Sequence, residues 1–358
     1  MRTFPHFIEL AVTLSLLGVA FAAPNCTPGE WIDLASIPTP RQEHGTAAID
    51  NTTIAVLGGI LNDGDASFST DLLQLYDIAT DTWSAGAPAP YKVNHPNVAA
   101  VNDKLYLVGG LTEGPVTPGL SMNWVASKLC YVYDLATDTW SDLAPMPNGT
   151  ERGSAIVGVR GEMIYVAGGM TVLQPEYQDA VDSVISFNTT SGAWQRLVSA
   201  AAEIPESRQH ATGSVIGQSF YVVGGRRYGK TNTFDTVFEL DLDDQEAGWK
   251  VSSGHMPTRR GGIAGGAVGS DFYVFGGEGN PDTSTGIFNQ SEVFDTRSQT
   301  WLELKPMPVP RHGTQAAVLG DRVYIPGGGL QQDGKKVIGP DGAVTYHNPT
   351  THFDAYCA

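Results

Sequence analysis

Short apolar runs rich in β-branched and aromatic residues recur along this chain, and six of them end in a pair of glycines. The pairs begin at Gly58, Gly109, Gly168, Gly224, Gly276 and Gly327, so their spacings are 51, 59, 56, 52 and 51 residues. Helical periodicity is almost absent, and Gly, Pro, Asn and Asp turns separate the runs. The pattern predicts an all-β protein built from six similar units.

A second strand-like segment follows each of the first five glycine pairs and leads through a polar turn to a tryptophan. Examples are "LYDIATDTW" and "VFDTRSQTW", and the tryptophans are Trp83, Trp140, Trp194, Trp249 and Trp301. Glycine pairs and tryptophans in this register resemble the kelch repeat, whose period is ~50 residues with four strands per propeller blade. The resemblance covers nearly the whole mature chain and implies a six-bladed β-propeller.

The sixth repeat has its glycine pair and the segment "THFDAYCA" but stops before a tryptophan. The early segment "GEWIDL" carries Trp31 and supplies the missing outermost strand, which closes the ring and removes an open sheet edge. Aligned on Trp31, Cys26 and Cys357 both lie shortly before the tryptophan position. We predict a Cys26–Cys357 disulfide, with two unrelated free thiols as the alternative. Cys130 falls in an apolar column and is expected to be a buried packing residue.

The first residues have the pattern of a secretory signal peptide. Arg2 precedes an apolar run that ends in Ala20-Phe21-Ala22 and is shorter than the ~20 residues that span a bilayer. We predict a signal peptide at residues 1–22, one propeller domain at residues 23–358, and secretion or residence in the secretory-pathway lumen. Disulfides and Asn-x-Ser/Thr glycosylation belong to that compartment. The sequons are Asn25, Asn51, Asn148, Asn188 and Asn289.

The net charge of the chain limits the classes of partner that it is expected to bind. A formal net charge of -17 argues against binding to a phosphate backbone, which needs clustered Lys and Arg. No nucleic acid and no membrane are expected as partners, and a closed, glycosylated, acidic disc predicts a monomer.

One face of the disc carries the long connections. In a kelch blade, the residues before the first strand and those after the glycine pair meet on the same face. There the connections are long and unlike one another, whereas the opposite face has short turns such as "ATDT". Variable loops on one rim of a rigid scaffold favour ligand binding at that rim.

Two columns of polar residues precede the first strands. Counted back from the first glycine without a gap, one column holds Gln42, Val93, Arg152, Arg208, Arg260 and Arg311, and the other holds His44, His95, Ser154, His210, Gly262 and Gly313, with His312 beside the last. Arginine forks pair with two oxygens, so we predict that Arg152, Arg208, Arg260 and Arg311, with His44, His95 and His210, form a catalytic funnel for an anionic or enolate-bearing ligand. The alternative is that the arginines bond to loop carbonyls and hold the blades together.

The long loops add aromatic and cationic side chains. Trp124 is the only tryptophan outside the repeat frame. A pocket with apolar walls and few polar groups is typical of a small-molecule site. The predicted substrate-binding residues are Trp124, Tyr177, Arg226, Tyr228, Phe288 and His312.

No nucleophile, zinc-protease or phosphate-loop motif is present in the sequence. We expect no cofactor, and no metal, because histidines across a channel rarely come within ~2 Å of one ion. Kelch copper oxidases need a Tyr–Cys cross-link, which the core position of Cys130 does not fit.

Two families remain as functional comparisons. Bacterial sialic-acid mutarotases are secreted six-bladed kelch propellers, and a funnel of arginines suits a sugar carboxylate. The leader, sequons and loop aromatics are more similar to secreted fungal kelch-like proteins, which include hetero-Diels–Alderases of tropolone-sesquiterpenoid pathways. That resemblance implies a cofactor-independent enzyme joining a tropolone-derived quinone methide to a polyene. A sugar-acid mutarotase and a non-enzymatic glycan- or protein-binding module are the alternatives.

Overall fold

The computed structural model describes residues 26–63, 66–338, 342 and 344–358. The first part of this chain contains the strands β1 (Trp31–Asp33), β2 (Gly45–Ala48), β3 (Thr53–Leu57), β4 (Ile60–Asp63), β5 (Ala66–Ser69), β6 (Leu73–Asp77), β7 (Thr82–Ala85), β8 (Val98–Val101), β9 (Lys104–Glu113), β10 (Trp124–Asp134) and β11 (Thr139–Asp142). The middle part contains β12 (Ile156–Arg160), β13 (Met163–Ala167), β14 (Val172–Gln174), β15 (Tyr177–Gln178), β16 (Val184–Asn188), β17 (Ala193–Arg196), β18 (Thr212–Ile216), β19 (Ser219–Val223), β20 (Val237–Asp241) and β21 (Trp249–Val251), with one 3₁₀ turn at Gln245–Ala247. The last part contains β22 (Ala264–Val268), β23 (Asp271–Phe275), β24 (Ser291–Asp295), β25 (Thr300–Glu303), β26 (Ala317–Leu319), β27 (Arg322–Pro326), β28 (Val337–Ile338), β29 (Val344–Thr345) and β30 (Phe353–Cys357).

These strands form six antiparallel blades, so the predicted all-β six-bladed propeller is confirmed. From the channel outward, the blades are β2-β3-β6-β7, β8-β9-β10-β11, β12-β13-β16-β17, β18-β19-β20-β21, β22-β23-β24-β25 and β26-β27-β30-β1. The second strand of each blade is almost fully buried because it carries the apolar run that precedes the glycine pair. Separate apolar clusters fill the spaces between neighbouring blades.

The sixth blade is built from both ends of the described chain, as the split repeat predicts. Strand β1 pairs with β30, with Trp31 opposite Tyr356. The predicted disulfide between Cys26 and Cys357 is present, with a Cα–Cα distance of 5.5 Å. Such bonds persist in oxidising compartments. The predicted signal peptide at residues 1–22 and the sequon Asn25 lie outside the described residues.

The tryptophans of the outer strands tie each blade to the one before it. Trp140 Nε1 donates a hydrogen bond to Ala87 O at 2.9 Å, and Trp194 Nε1 donates to Ala144 O at the same distance. Trp31 Nε1 makes the equivalent bond to Lys305 O at 3.0 Å. Trp31 therefore replaces the tryptophan that the sixth repeat lacks.

The glycine pairs are required by close contacts between neighbouring blades. Gly168 has a φ of +61°, and a Cβ built on it would lie 2.6 Å from Arg208 O. The next residue, Gly169, donates its N–H to the same carbonyl at 2.8 Å. Both the left-handed backbone and the lack of space exclude a side chain here.

The long connections extend the blades on one face. Three two-stranded hairpins stand there, β4-β5, β14-β15 and β28-β29, and β10 also pairs with β14. Cys130 is buried between the second and third blades, as expected, and burial raises the pKa of its thiol to about 12. Of the described sequons, Asn51, Asn148 and Asn289 are exposed and Asn188 is partly buried. Across the described ranges, no helix has the length and apolar character to cross a bilayer.

The disulfide is expected to stabilise the closed ring, because it bridges a sequence separation of 331 residues. Replacing both cysteines (Cys26→Ala with Cys357→Ala) should lower the free energy of unfolding by roughly 3–5 kcal/mol through the entropy of the unfolded chain. Urea unfolding followed by tryptophan fluorescence measures the change. Cys130→Ala keeps the disulfide and serves as the control, with an expected loss of about 1 kcal/mol. Equal losses in the two variants would contradict the assignment.

Candidate functional site in the central channel

A ring of hydrogen bonds surrounds the channel where the first strands begin. Six residues with positive φ form it, one from each blade: Glu43, His95, Ser154, His210, Gly262 and Gly313. Five backbone N–H groups donate to the carbonyl of the previous member, and His210 N donates instead to Ser154 Oγ at 3.0 Å. Each blade is thus fixed to its neighbours at the axis, and the side chains of this ring are brought close together.

The first blade is offset by one residue from the ungapped alignment of the sequence. Glu43, not His44, occupies the ring position, and Arg41, not Gln42, occupies the arginine column. The turn between β2 and β3 contains one residue more than the turn between β18 and β19, and this insertion causes the shift. His44 lies lower in the channel, where Thr46 Oγ1 is 3.2 Å from its Nδ1.

The four predicted funnel arginines do not point into the channel. Arg152, Arg208, Arg260 and Arg311 are at most 1% exposed and none lines the central cavity. Arg152 binds the carbonyls of Gly168 and Ser183, and Arg208 binds Gly224 O and Thr236 Oγ1. Their placement corresponds to the alternative reading, in which loop carbonyls and strands hold the guanidinium groups within the blades.

Two of these arginines form buried ion pairs with the third strand of their own blade. Arg260 Nη2 lies 2.7 Å from Glu292 Oε2, and Arg311 pairs with Asp354. Burial raises the pKa of Glu292, although the charge of Arg260 opposes that change. Burial likewise lowers the pKa of Arg260 to about 10. Convergent positive charge is therefore avoided by pairing each of these two guanidinium groups with a carboxylate.

A cavity of about 340 Å³ opens above the ring, on the face of the long connections. A wider mouth of about 540 Å³ adjoins it, and a channel of about 40 Å³ continues below it. Glu43, His95 and His210 line both the upper cavity and the channel below. These three residues form the floor of the cavity.

The half of the cavity formed by the first three blades carries its large apolar side chains, together with polar residues such as Gln174, Glu176 and Gln178. Ile60, Trp124 and Leu173 line it and belong to one buried cluster with Leu111 and Met170. This cluster comes from the first three blades, and pairing of β10 with β14 places Trp124 opposite Leu173. The wall is thus held by strands as well as by loop packing.

The other half of the cavity is charged. Arg226 and Glu278 form an ion pair, and both side chains are at most 3% exposed. Asp333 accepts two bonds from Gln42 Nε2, at 2.6 and 2.7 Å, and pairs with His347 Nδ1 at 3.0 Å. Burial would raise the pKa of Asp333, but its hydrogen bond from His347 and nearby positive charges hold it well below its usual range. Lys230 Nζ donates to the backbone carbonyl of Asp333.

The floor brings two imidazoles and a carboxylate together. His95 Nε2 lies 3.1 Å from His210 Nε2, and Glu43 Oε2 lies 3.2 and 3.6 Å from these two atoms. The expected wide separation of histidines across the channel is therefore not observed, because the hydrogen-bonded ring draws the blades close to the axis. Burial lowers the pKa of His95 to about 3 and that of His210 well below its usual value.

The predicted loop residues fall in different places. Trp124 and Arg226 line the upper cavity, and His312 is buried beside it, near Glu43 and Glu278. Tyr177 is 54% exposed and lines the mouth only, whereas Tyr228 is 60% exposed and lines neither the cavity nor the mouth. Phe288 is buried and lines neither space, since its N–H is bound to Gly277 O beneath its own loop.

Sequence reasoning missed Glu43, Glu278, Asp333 and Lys230. A usable signal existed for Glu278, because the residue after each glycine pair forms an antiparallel bridge with the residue before the ring position. That column reads Ile60, Leu111, Met170, Arg226, Glu278 and Gly329. It changes from apolar in the first three blades to charged in the next two, which matches the two halves of the cavity.

Fold and site define a closed propeller with a mixed apolar and charged cavity at one end of its axis. The KLHDC2/KLHL20/DRC7 Kelch-repeats domain model matches residues 29–225 and 94–329, so the chain belongs to the kelch-repeat family.

Individual relatives differ in how closely they match. Kelch-like protein terF of Aspergillus terreus is 37% identical over 311 residues, which cover 85% of this chain and 65% of that protein. Kelch-like protein 25 of Xenopus tropicalis is 25% identical over 283 residues, which cover 78% of this chain and 43% of that protein. The chain thus spans about two thirds of the fungal relative's length and less than half of the frog protein's.

The Arg260–Glu292 pair provides a test of the structural role of the arginines. Arg260→Met alone should lower the free energy of unfolding by about 3–5 kcal/mol, because it leaves Glu292 buried without its charged partner. Adding Glu292→Met should recover most of that loss. Urea unfolding of the single and double variants gives the coupling energy. A double variant as unstable as the single one would contradict this account.

Proposed function

We propose that this protein is an enzyme of fungal secondary metabolism that acts on small molecules in the upper cavity, as a hetero-Diels–Alderase joining a tropolone-derived quinone methide to a sesquiterpene polyene. The observation that carries the proposal is the division of one cavity into a largely apolar half and a charged half. Two reactants of unlike polarity each find a matching wall there. The volume of about 340 Å³ lies within the range of small-molecule sites.

The reaction requires little from the protein beyond the positioning of the two reactants. In a hetero-Diels–Alder reaction the heterodiene and an alkene form one C–O and one C–C bond together, and no group leaves. Holding the reactants in a near-attack arrangement can lower the barrier by up to ~7–11 kcal/mol. Trp124, Met122 and Leu173 would pack against the polyene, which has no polar group to anchor it.

Positive groups of the charged half would act on the heterodiene oxygen. Charge builds on this oxygen as the C–O bond forms, and donors already in place stabilise it. Arg226 and Lys230 line the cavity and can serve this purpose, whereas the four arginines of the blades cannot reach it. We therefore assign the catalytic role to Arg226 and Lys230 of the charged half, instead of to the four arginines of the blades.

Similarity to a protein of Aspergillus terreus supports the fungal affiliation, and the disulfide supports maturation in an oxidising compartment. Secretion, glycosylation at the sequons and a monomeric state belong to the same proposal.

Lys230→Met is expected to slow the reaction, because it removes a positive charge from the cavity while keeping most of the side-chain volume. A loss of about 10²-fold in turnover above the uncatalysed background is expected for a donor of this kind. The measurement is chiral chromatography of the adduct formed from a quinone methide generated in situ and a cyclic polyene. Lys128→Met removes an exposed lysine bonded to Asn148, away from the cavity, and is the matched control.

Absence of any rate increase by the unaltered protein would overturn the enzymatic proposal. A thermal-shift panel then separates the alternatives. Stabilisation by sugar acids alone would favour a mutarotase, and a flat response to both sugar acids and tropolones would favour a binding module for glycans or proteins.

A further inference from the structure

The cavity floor presents three electron-pair donors to one another. Asn94 Oδ1 lies 2.6 Å from His95 Nδ1, and since a carbonyl oxygen only accepts, the imidazole proton is on Nδ1. Asn94 Nδ2 donates to Ser69 Oγ at 2.8 Å, which is consistent with this orientation of the amide. The Nε2 lone pair of a neutral His95 therefore points at Glu43 and His210.

His210 is held in the same way. Its Nδ1 donates to Gln209 Oε1. The same oxygen accepts from Arg226 Nε at 3.4 Å, and Gln209 Nε2 donates to Gln178 Oε1 at 3.0 Å, so the amide has one consistent orientation. Two imidazole lone pairs and a carboxylate oxygen thus face each other with no proton of their own between them. A cation bound by all three atoms would relieve their mutual repulsion.

Their geometry fits an ion. Separations of 3.1, 3.2 and 3.6 Å define a triangle with a circumradius of about 1.9 Å, so a point about 0.7 Å out of its plane lies about 2.05 Å from all three atoms. Zinc bonds to imidazole nitrogen and carboxylate oxygen are ~2.0–2.2 Å long. Tetrahedral coordination also places the ion about 0.7 Å above the plane of three ligands.

The outer contacts are those of a metal site. A ligating histidine usually donates its other N–H to a carbonyl or carboxylate, which fixes the tautomer and the ring. Asn94 and Gln209, each the residue before its histidine, do this here. Because the preceding residues belong to the bridges that hold each blade at the axis, the rings are positioned by the scaffold itself.

Charges around the floor also favour a cation. Among the residues that line the upper cavity, carboxylates outnumber the cations Arg226 and Lys230 by four to two; the carboxylates are Glu43, Glu176, Glu278 and Asp333. Arg226 Nη2 lies 3.1 Å from His210 Nε2 and competes for this lone pair, although the same guanidinium is already paired with Glu278 through Nη1. Within the described part of the chain, the buried Glu278 Oε2 and His312 Nδ1 have no hydrogen-bond partner, so both could accept from water on an ion.

We propose that Glu43, His95 and His210 form a binding site for a divalent transition-metal ion, with Zn²⁺ as the probe. Two imidazoles and one carboxylate suit Zn²⁺ and similar ions, whereas Ca²⁺ and Mg²⁺ prefer oxygen ligands throughout. Three protein ligands leave at least one position open toward the cavity. The proposal stands apart from the choice of substrate, and it replaces the expectation of a site without metal.

The test begins with chelator-treated, disulfide-intact protein. Isothermal titration with Zn²⁺ should give one site per chain, and Co²⁺ should produce the visible absorption of a four- or five-coordinate ion. Glu43→Gln, His95→Gln and His210→Gln should each weaken Zn²⁺ binding by at least about 10²-fold. His255→Gln, at an exposed histidine paired with Asp235, is the matched control and should bind as the unaltered protein does.

A further variant separates the ligands from their surroundings. Arg226→Gln combined with Glu278→Gln removes the competing guanidinium and its partner together, and Zn²⁺ should bind to this variant at least as tightly. If a ligand variant fails to fold, X-ray absorption on the Zn²⁺-loaded unaltered protein decides, with two imidazoles and one carboxylate expected. No binding of Zn²⁺ or Co²⁺ by folded protein, or binding equal in all variants, would overturn the proposal. If metal-free protein catalyses the cycloaddition at the full rate, the metal site serves a role other than this reaction.

Discussion

Hydrogen bonds between neighbouring blades around the axis are the constraint on which the rest of this structure depends. The carbonyl at the arginine position accepts from the second glycine of the previous blade, as Arg208 O does from Gly169 N at 2.8 Å. Two residues later, the left-handed ring member bonds to the next ring member. Glycines must stand where a Cβ would strike a neighbouring carbonyl, and buried guanidinium groups must bind the carbonyls that remain within each blade. Channel width, and with it the 3.1 Å approach of His95 to His210, follows from these bonds.

The sequence predicts the repeated frame well because the frame is local. Apolar runs, glycine pairs and tryptophans each recur at a nearly constant spacing, and Trp31 with Cys26 and Cys357 shows how the ring closes. The site is less predictable, since it depends on single residues brought together from different blades. One extra residue in the turn between β2 and β3 shifts the first blade, so that Glu43 and not His44 occupies the ring, and an ungapped alignment hides that exchange. Asp333 comes from one of the long loops, which differ in length and sequence between repeats, so the ungapped alignment does not extend to it.

The arginines show why a shared column is ambiguous. Residues at equivalent positions of a propeller lie at equal distances from the axis, but their side chains can point along the strand, into the blade or into the channel. Arg260 has Glu292 on the third strand of its own blade, and Arg208 has Thr236 beside that strand and Phe238 under its guanidinium at 3.9 Å. A guanidinium in the narrow channel would lack such partners. The third strand of each blade therefore decides which way the arginine side chain points. Its sequence has to be considered together with the arginine position.

The residue after each glycine pair gives this six-fold scaffold two unlike sides. Each of these residues forms the same kind of antiparallel bridge, so Ile60 in the first blade and Glu278 in the fifth are held at equivalent backbone positions. A change at one such position alters the chemistry of one sector of the cavity and leaves the closure of the ring untouched. Kelch propellers of this kind can accordingly diverge in ligand preference through six positions of a single frame, with neighbouring members that touch, such as Arg226 and Glu278, changing together.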